Sequence, residues 1–143
     1  IIKSNLEEVG LKVRLVEQGF SSHLEELRRG KHDMSLMGWV GDNGDPDNYL
    51  YVLFDADNAK IGRARNLAFL DDAELHRLLL NAQQSGNRTT RSAVYKEAQE
   101  LIGALAPWIP LVHSQIAVVA RSDVHGIVIS PSAQVLFEKV ERK

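Results

Sequence analysis

The run Gly38-Trp39-Val40-Gly41-Asp42-Asn43-Gly44-Asp45-Pro46-Asp47-Asn48-Tyr49 places three carboxylates and two glycines between two aromatic rings. A carboxylate at the mouth of an apolar pocket makes charge-assisted hydrogen bonds to an ammonium group, each contributing about 1.5 to 3 kcal/mol net. The free α-amino group of a peptide is such an ammonium. Gly41, Asn43 and Gly44 beside Asp42 allow close backbone approach and positive φ. Turn chemistry followed by a helix cap produces the same composition, so the residues leave both readings open, and for Asp45 and Asp47 the cap reading is preferred.

Other chemistries fit less well. A calcium loop requires the order Asp-x-(Asp/Asn)-x-(Asp/Asn)-Gly and a terminal glutamate, which Asp42 to Asp47 lack. Hydrolysis by Asp42 with Asp45 would need one acid desolvated and the other ionised across a substrate. The histidines, His23, His32, His76, His113 and His125, show no His-x-x-x-His pairing, so zinc has little support. His113 beside Ser114 lies on an apolar stretch without a nucleophile-elbow motif and is read as a sheet histidine.

The elements that must position this run follow from periodicity. Met34 to Trp39 is apolar at nearly every position, as expected of a strand covered on both faces. In open α/β sheets ligands sit beyond the carboxyl ends of strands, which is where Asp42 to Asp47 would fall. Upstream, Ile2, Leu6 and Val9 mark a helix face with Gly10 at its C-cap. Leu11, Val13 and Leu15 alternate as a strand. Ser22 with Glu25 forms a capping box, and Gly30 closes that helix. The strand at Asp33 to Val40 completes a βαβ unit with parallel strands, so the fold class is α/β.

Downstream, Asp45 and Pro46 open a short helix through Phe54. Asp55 to Asn66 reads as a surface loop. Helices follow near Asp71 to Ser85, with Leu75, Leu78, Leu79 and Ala82 on one face, and near Thr90 to Ala106, with Val94, Ala98, Leu101, Ile102 and Leu105. Tyr49, Tyr51 and Phe54 pack the short helix, and Trp108 anchors the turn that follows. A strand-rich tail runs from Ile109 through Ala120, Gly126 to Ser130 and Val135 to Val140, with a turn at Pro131.

At 143 residues and 44% apolar content the chain can build one sizeable core. A net charge of -2 with scattered Lys and Arg gives no reason to expect nucleic acid. The absence of cysteine excludes disulfides and thiolate metal sites. No stretch approaches the roughly 18 apolar residues of a membrane span, and no signal peptide opens the chain.

The Gly-Trp-x-Gly-Asp-Asn-Gly-Asp-Pro-Asp-Asn-(aromatic) run closely resembles a segment of the periplasmic dipeptide- and oligopeptide-binding proteins of peptide ABC transporters, extracellular solute-binding protein family 5. The resemblance continues through Val9 to Val13, Gly30 to Met34, Arg91 to Gln99, Pro107 to Ser114, Val124 to Gly126, and Phe137-Glu138. Members run to roughly five hundred residues, so the chain resembles a C-terminal fragment of one.

What the resemblance implies is a C-terminal lobe of a type II periplasmic-binding-protein-like fold, a mixed sheet flanked by helices. Residues 1–114 would belong to that lobe, and residues 115–143 would form a strand-rich tail crossing the hinge back to the other lobe. Asp42 would hold the peptide's amino terminus and Trp39 would form part of the pocket wall, with Gly41, Asn43 and Gly44 around them. The arginine that receives the ligand carboxylate would lie upstream of Ile1.

Such a protein closes two lobes around a peptide, dipeptide first, and delivers it to an ABC permease in the membrane, with no cofactor, metal or catalysed reaction. It works in the periplasm. Relatives of this architecture take oligopeptides, metal chelates, haem or opines, and a hydrolase using Asp42 and Asp45 is the competing class. Orphaned apolar strands in Gln115 to Lys143 are expected to promote self-association by strand exchange.

Overall fold

The computed structural model describes residues 1–130 and 132–143; the turn expected at Pro131 lies outside the described residues. The first two helices, α1 (Ile2–Glu8) and α2 (Phe20–Arg28), end in the same way. In α1 the Gly10 and Leu11 amides donate to the Glu7 and Leu6 carbonyls, and in α2 the Gly30 and Lys31 amides donate to Leu27 and Glu26. This double closure requires a left-handed residue after the C-cap, which Gly10 (φ +89°) and Gly30 (φ +67°) supply. Both glycine stops match the sequence. The Ser22–Glu25 capping box does not form: α2 starts three residues earlier, with Gly19 at its N-cap, and Glu25 pairs with Arg29 one turn on.

Three further helices build the main core. These are α3 (Asp47–Phe54), α4 (Ala73–Gln84) and α5 (Arg88–Leu105). Asp72 caps α4 by accepting from the Leu75 amide, and Asn87 caps α5 by accepting from Thr90. Only two residues separate the C-cap of α4 from the first residue of α5, which makes the two antiparallel neighbours. Leu75, Leu78, Leu79 and Ala82 of α4 are buried against Leu50, Leu53 and Phe54 of α3 and Tyr95 and Ala98 of α5. The buried stripe of α5 thus includes Tyr95, whereas Leu105, expected inside, is 39% exposed. Trp108 meets Phe54 edge to face, with ring centroids 5.1 Å apart.

Asp55 to Asn66 is not the surface loop that its composition suggests. A short 3-10 turn (Ala56–Asn58) runs through it, and Asp55, Ala64 and Asn66 are buried. The Asn66 amide donates to the Asp55 and Leu70 carbonyls and its oxygen accepts from the Leu70 amide. One side chain therefore ties the end of α3 to the approach to α4. Ala64 and Leu67 join Leu27 in a second small cluster, with Met37 and Phe69 against it.

The expected βαβ ladder is absent among the described residues. Residues 11–19 and 35–41 carry no strand pairing, and Leu15 and Leu36 are 64% and 68% exposed. An extended segment becomes a strand only when a neighbour takes its backbone donors and acceptors, and no described segment does so. The Ile109 to Ala120 strand is missing for the same reason. The pairs that do form are two short antiparallel ribbons, β1 (Val124–His125) with β4 (Glu141–Arg142) and β2 (Val128–Ile129) with β3 (Val135–Leu136). Asp123 fastens the first by accepting from Arg121 and Arg142.

Two substitutions test this core by denaturant unfolding. Leu79→Ala, at a fully buried position, should lose about 2 to 5 kcal/mol. Asn66→Ala should lose about 1 to 3 kcal/mol because it strands buried backbone groups; a loss confined to Leu79→Ala would show that the Asn66 tie is dispensable.

Candidate functional site

The acidic run forms a loop that leads into α3, and its backbone is held by side chains from that helix. The Gly41 amide donates to the Tyr49 hydroxyl at 2.8 Å and the Asp42 amide donates to Asn48 Oδ1 at 3.1 Å. Gly41 is buried beneath the Tyr49 ring, and a methyl group on its Cα would collide with that ring. Its glycine is thus fixed by packing within the loop. Gly44 adopts the expected left-handed conformation (φ +72°). Asn43 Oδ1 accepts from the Asp45 amide at 3.0 Å, which closes the turn.

The three acids have separate fates. The N-cap of α3 is Pro46, one residue later than expected, and Asp45 just before it reaches the first helical residue by accepting from the Asp47 amide through Oδ1 at 2.9 Å. The same carboxylate receives a two-pronged grip from Arg91 of α5, Nη2 to Oδ1 at 2.7 Å and Nη1 to Oδ2 at 2.9 Å. Asp47 accepts from Gln83 of α4 at 2.9 Å and from the Tyr95 hydroxyl at 3.3 Å. Asp42 is exposed, and its carboxylate engages no partner among the described residues. Trp39, 37% exposed, precedes it by three residues.

These contacts set the electrostatics. The Arg91 hydrogen bond, and then the Asp47 amide, hold the Asp45 carboxyl below its ordinary value of 3.8, against a smaller opposing effect of burial. An acid held ionised in this way could serve only as the ionised member of a hydrolytic Asp42–Asp45 pair, and Asp42, which would then have to be the desolvated one, is exposed. Burial first, and the Asp47 charge second, raise the Tyr95 hydroxyl.

A second polar cluster lies at the other end of α3. Asp55, Asp57 and His76 each bring a ligand atom within 4.8 Å of the others. Each is already engaged: the His76 ring reaches Asp55 Oδ2 at 2.9 Å, Asp55 Oδ1 accepts from the Asp57 amide, and Asp57 accepts from the Tyr51 hydroxyl. Burial, with Asp57 next, pushes that hydroxyl up to about 12. The residues thus close a hydrogen-bond network around the 3-10 turn. His113 is exposed and lies in no strand among the described residues, so it is not the sheet histidine expected.

Sequence reasoning placed Trp39, Gly41, Asp42, Asn43 and Gly44 together, and the structure keeps them on one loop. It missed the supports of that loop, Asn48, Tyr49, Arg91 and Tyr95, and at the other end of α3 the contact of half-buried His76 with buried Asp55. A signal existed for Arg91 and Tyr95, which lie one turn apart on the same helix face. Nothing local ties either to Asp45, 46 residues earlier.

Residues 1–60 match the family model for bacterial extracellular solute-binding proteins, family 5 middle. Over its whole length the chain is 33% identical to the probable di/tripeptide-binding protein 5 of Pseudomonas aeruginosa (strain UCBPP-PA14), covering 27% of that protein. It is 34% identical to heme-binding protein A of Haemophilus influenzae, over 92% of this chain and 23% of the relative. Among solved structures, 99% of the chain superposes on 28% of the dipeptide-binding protein from Pseudoalteromonas sp. SM9913 in complex with Met-Leu, with a TM-score of 0.79 and 26% identity. The chain spans about a quarter of the length of the curated relatives it matches.

The Asp45 brace carries a pH signature. Its folded-state pKa lies below the unfolded one, so the stability that it contributes is complete above 3.8 and is lost as pH falls through the lowered value. Thermal unfolding of wild type and Asp45→Asn across acid pH should therefore give a difference that is constant near neutrality and shrinks below 3.8; a pH-independent difference would show that the carboxylate's charge is not involved.

Proposed function

We propose that the chain is part of a bacterial extracellular solute-binding protein of family 5, whose model residues 1–60 match, and that the protein captures a short peptide, a dipeptide first, and hands it to a membrane permease without transforming it. The carrying observation is the division of labour in the acidic loop. Asp45 and Asp47 are engaged in structure, whereas the Asp42 carboxylate is exposed and unpartnered among the described residues, three positions after the exposed Trp39. A free carboxylate on a braced loop suits a peptide's α-ammonium, and an indole face tolerates varied side chains. Gly41, Asn43 and Gly44 give the loop its shape.

In this reading residues 1–114 belong to one lobe, and residues 115–143 cross the hinge to the other. The protein works in the periplasm, where a permease of the ABC type collects the ligand. The identity to a haem-binding relative supports a second ligand class on the same scaffold, and titration with haem, followed by its absorption spectrum, separates the two.

In the full-length protein Asp42→Asn should weaken dipeptide binding by roughly one to two orders of magnitude, the worth of one charge-assisted anchor. Calorimetry checks it: unchanged affinity in the variant, or equal wild-type affinity for free and N-acetylated dipeptides, would remove Asp42 from the site.

The tail supports a further expectation about the chain by itself. Ile116, Val119 and Phe137 are exposed, and the segment before β1 pairs with nothing among the described residues. Two copies that exchange these strands would satisfy both. Ultracentrifugation of the chain with and without the residues after Ser114 should show dimer only in the longer form, and monomer in both would refute exchange.

A further inference from the structure

We propose that Asn48 and Arg91 are positioning residues for the Asp42 anchor: Asn48 fixes the Asp42 backbone directly, and Arg91 fixes the loop through Asp45. The proposal rests on the reading of Asp42 as the ammonium anchor and extends it to residues remote from the ligand.

The geometry runs in a continuous chain from the rigid helices to the anchor. Arg91 stands on α5, whose next turn buries Tyr95 and Ala98 in the core. Its Nε donates to the Ala82 carbonyl at 3.2 Å. That carbonyl is among the last four of α4, which have no partner within their own helix. The two remaining prongs take both oxygens of Asp45, and Nη2 also meets the Tyr95 hydroxyl at 2.9 Å.

A planar guanidinium that serves α4, α5 and the loop at once leaves Asp45 little freedom. From Asp45 the restraint passes both ways along the chain, to Asn43 through its own amide and to the start of α3 through Asp47. Asn48, in the first turn of α3, then returns to hold the Asp42 amide at 3.1 Å. The Asp42 backbone is thereby fixed while its carboxylate stays free, which is the condition for a preorganised anchor.

A single charged group held loosely still attracts an ammonium, but pays to order itself on binding. Loss of either support should therefore weaken free-amine dipeptides and leave N-acetylated ones unaffected, because only the former use Asp42. The test is calorimetry on the full-length protein with a dipeptide and its N-acetylated form, for wild type, Asn48→Ala, Arg91→Ala and Arg91→Lys.

The expected result is a wild-type preference for the free amine that falls by roughly three- to thirtyfold in Asn48→Ala and Arg91→Ala. Lysine keeps the charge but not the fork, so Arg91→Lys should resemble Arg91→Ala. Equal wild-type affinities would defeat the anchor reading itself. A wild-type preference that persists in Asn48→Ala would overturn the positioning role while leaving the anchor intact, and full rescue by Arg91→Lys would reduce the Arg91 effect to charge and refute the brace. A loss that is equal for both ligands would mark Asn48 and Arg91 as structural only. Asn48→Ala removes one exposed hydrogen bond, so the test stands even if Arg91→Ala fails to fold.

Discussion

The grip of Arg91 on Asp45 is the contact on which the acidic loop depends. The residues are 46 positions apart, so each must be brought to the other by its own element: Arg91 by a helix packed on α4, Asp45 by the turn that starts α3. Two parallel N–H···O bonds fix orientation as well as distance, which a lysine ammonium cannot do. The pair is about one-third exposed on each side. Water therefore screens its Coulomb energy, and its value lies in geometry more than in stability.

Around that contact the loop separates one acid from two others of the same type. Asp45 and Asp47 face the hairpin of α4 and α5, which offers Gln83, Arg91 and Tyr95 as donors. Asp42 lies on the other side of the Gly44 turn, where only its amide is engaged. Three chemically identical groups thus acquire distinct roles from the side of one turn on which they fall. The Tyr49 ring over Gly41 adds a steric term, since the loop can close on α3 only where no Cβ intervenes.

Elsewhere the chain shows what an extended segment needs. Residues 11–19 and 35–41 have the apolar patterning of strands, but a ladder is a property of two segments, and neither has a described partner. The helices, whose hydrogen bonds are internal, form regardless. This is why the helices form in full while, among the described residues, the sheet is limited to β1–β4 and β2–β3.

The sequence by itself determined whatever is encoded within one or two turns. The glycine stops after α1 and α2, the Leu75–Ala82 stripe, the Gly44 turn and the grouping of Trp39, Asp42 and their neighbours are all local, set by backbone sterics and helical period. Motif resemblance carried the family across the same stretch. Tertiary structure decided what depends on pairing at a distance: that Arg91 claims Asp45, that Asp55 and Asn66 are buried in a segment polar enough to pass for a loop, that Tyr95 turns inward in place of Leu105, and that the apolar stretches stay unpaired. A side chain's partner across 46 residues leaves no trace in the spacing of its own neighbours, because the encounter is made by the packing of whole elements.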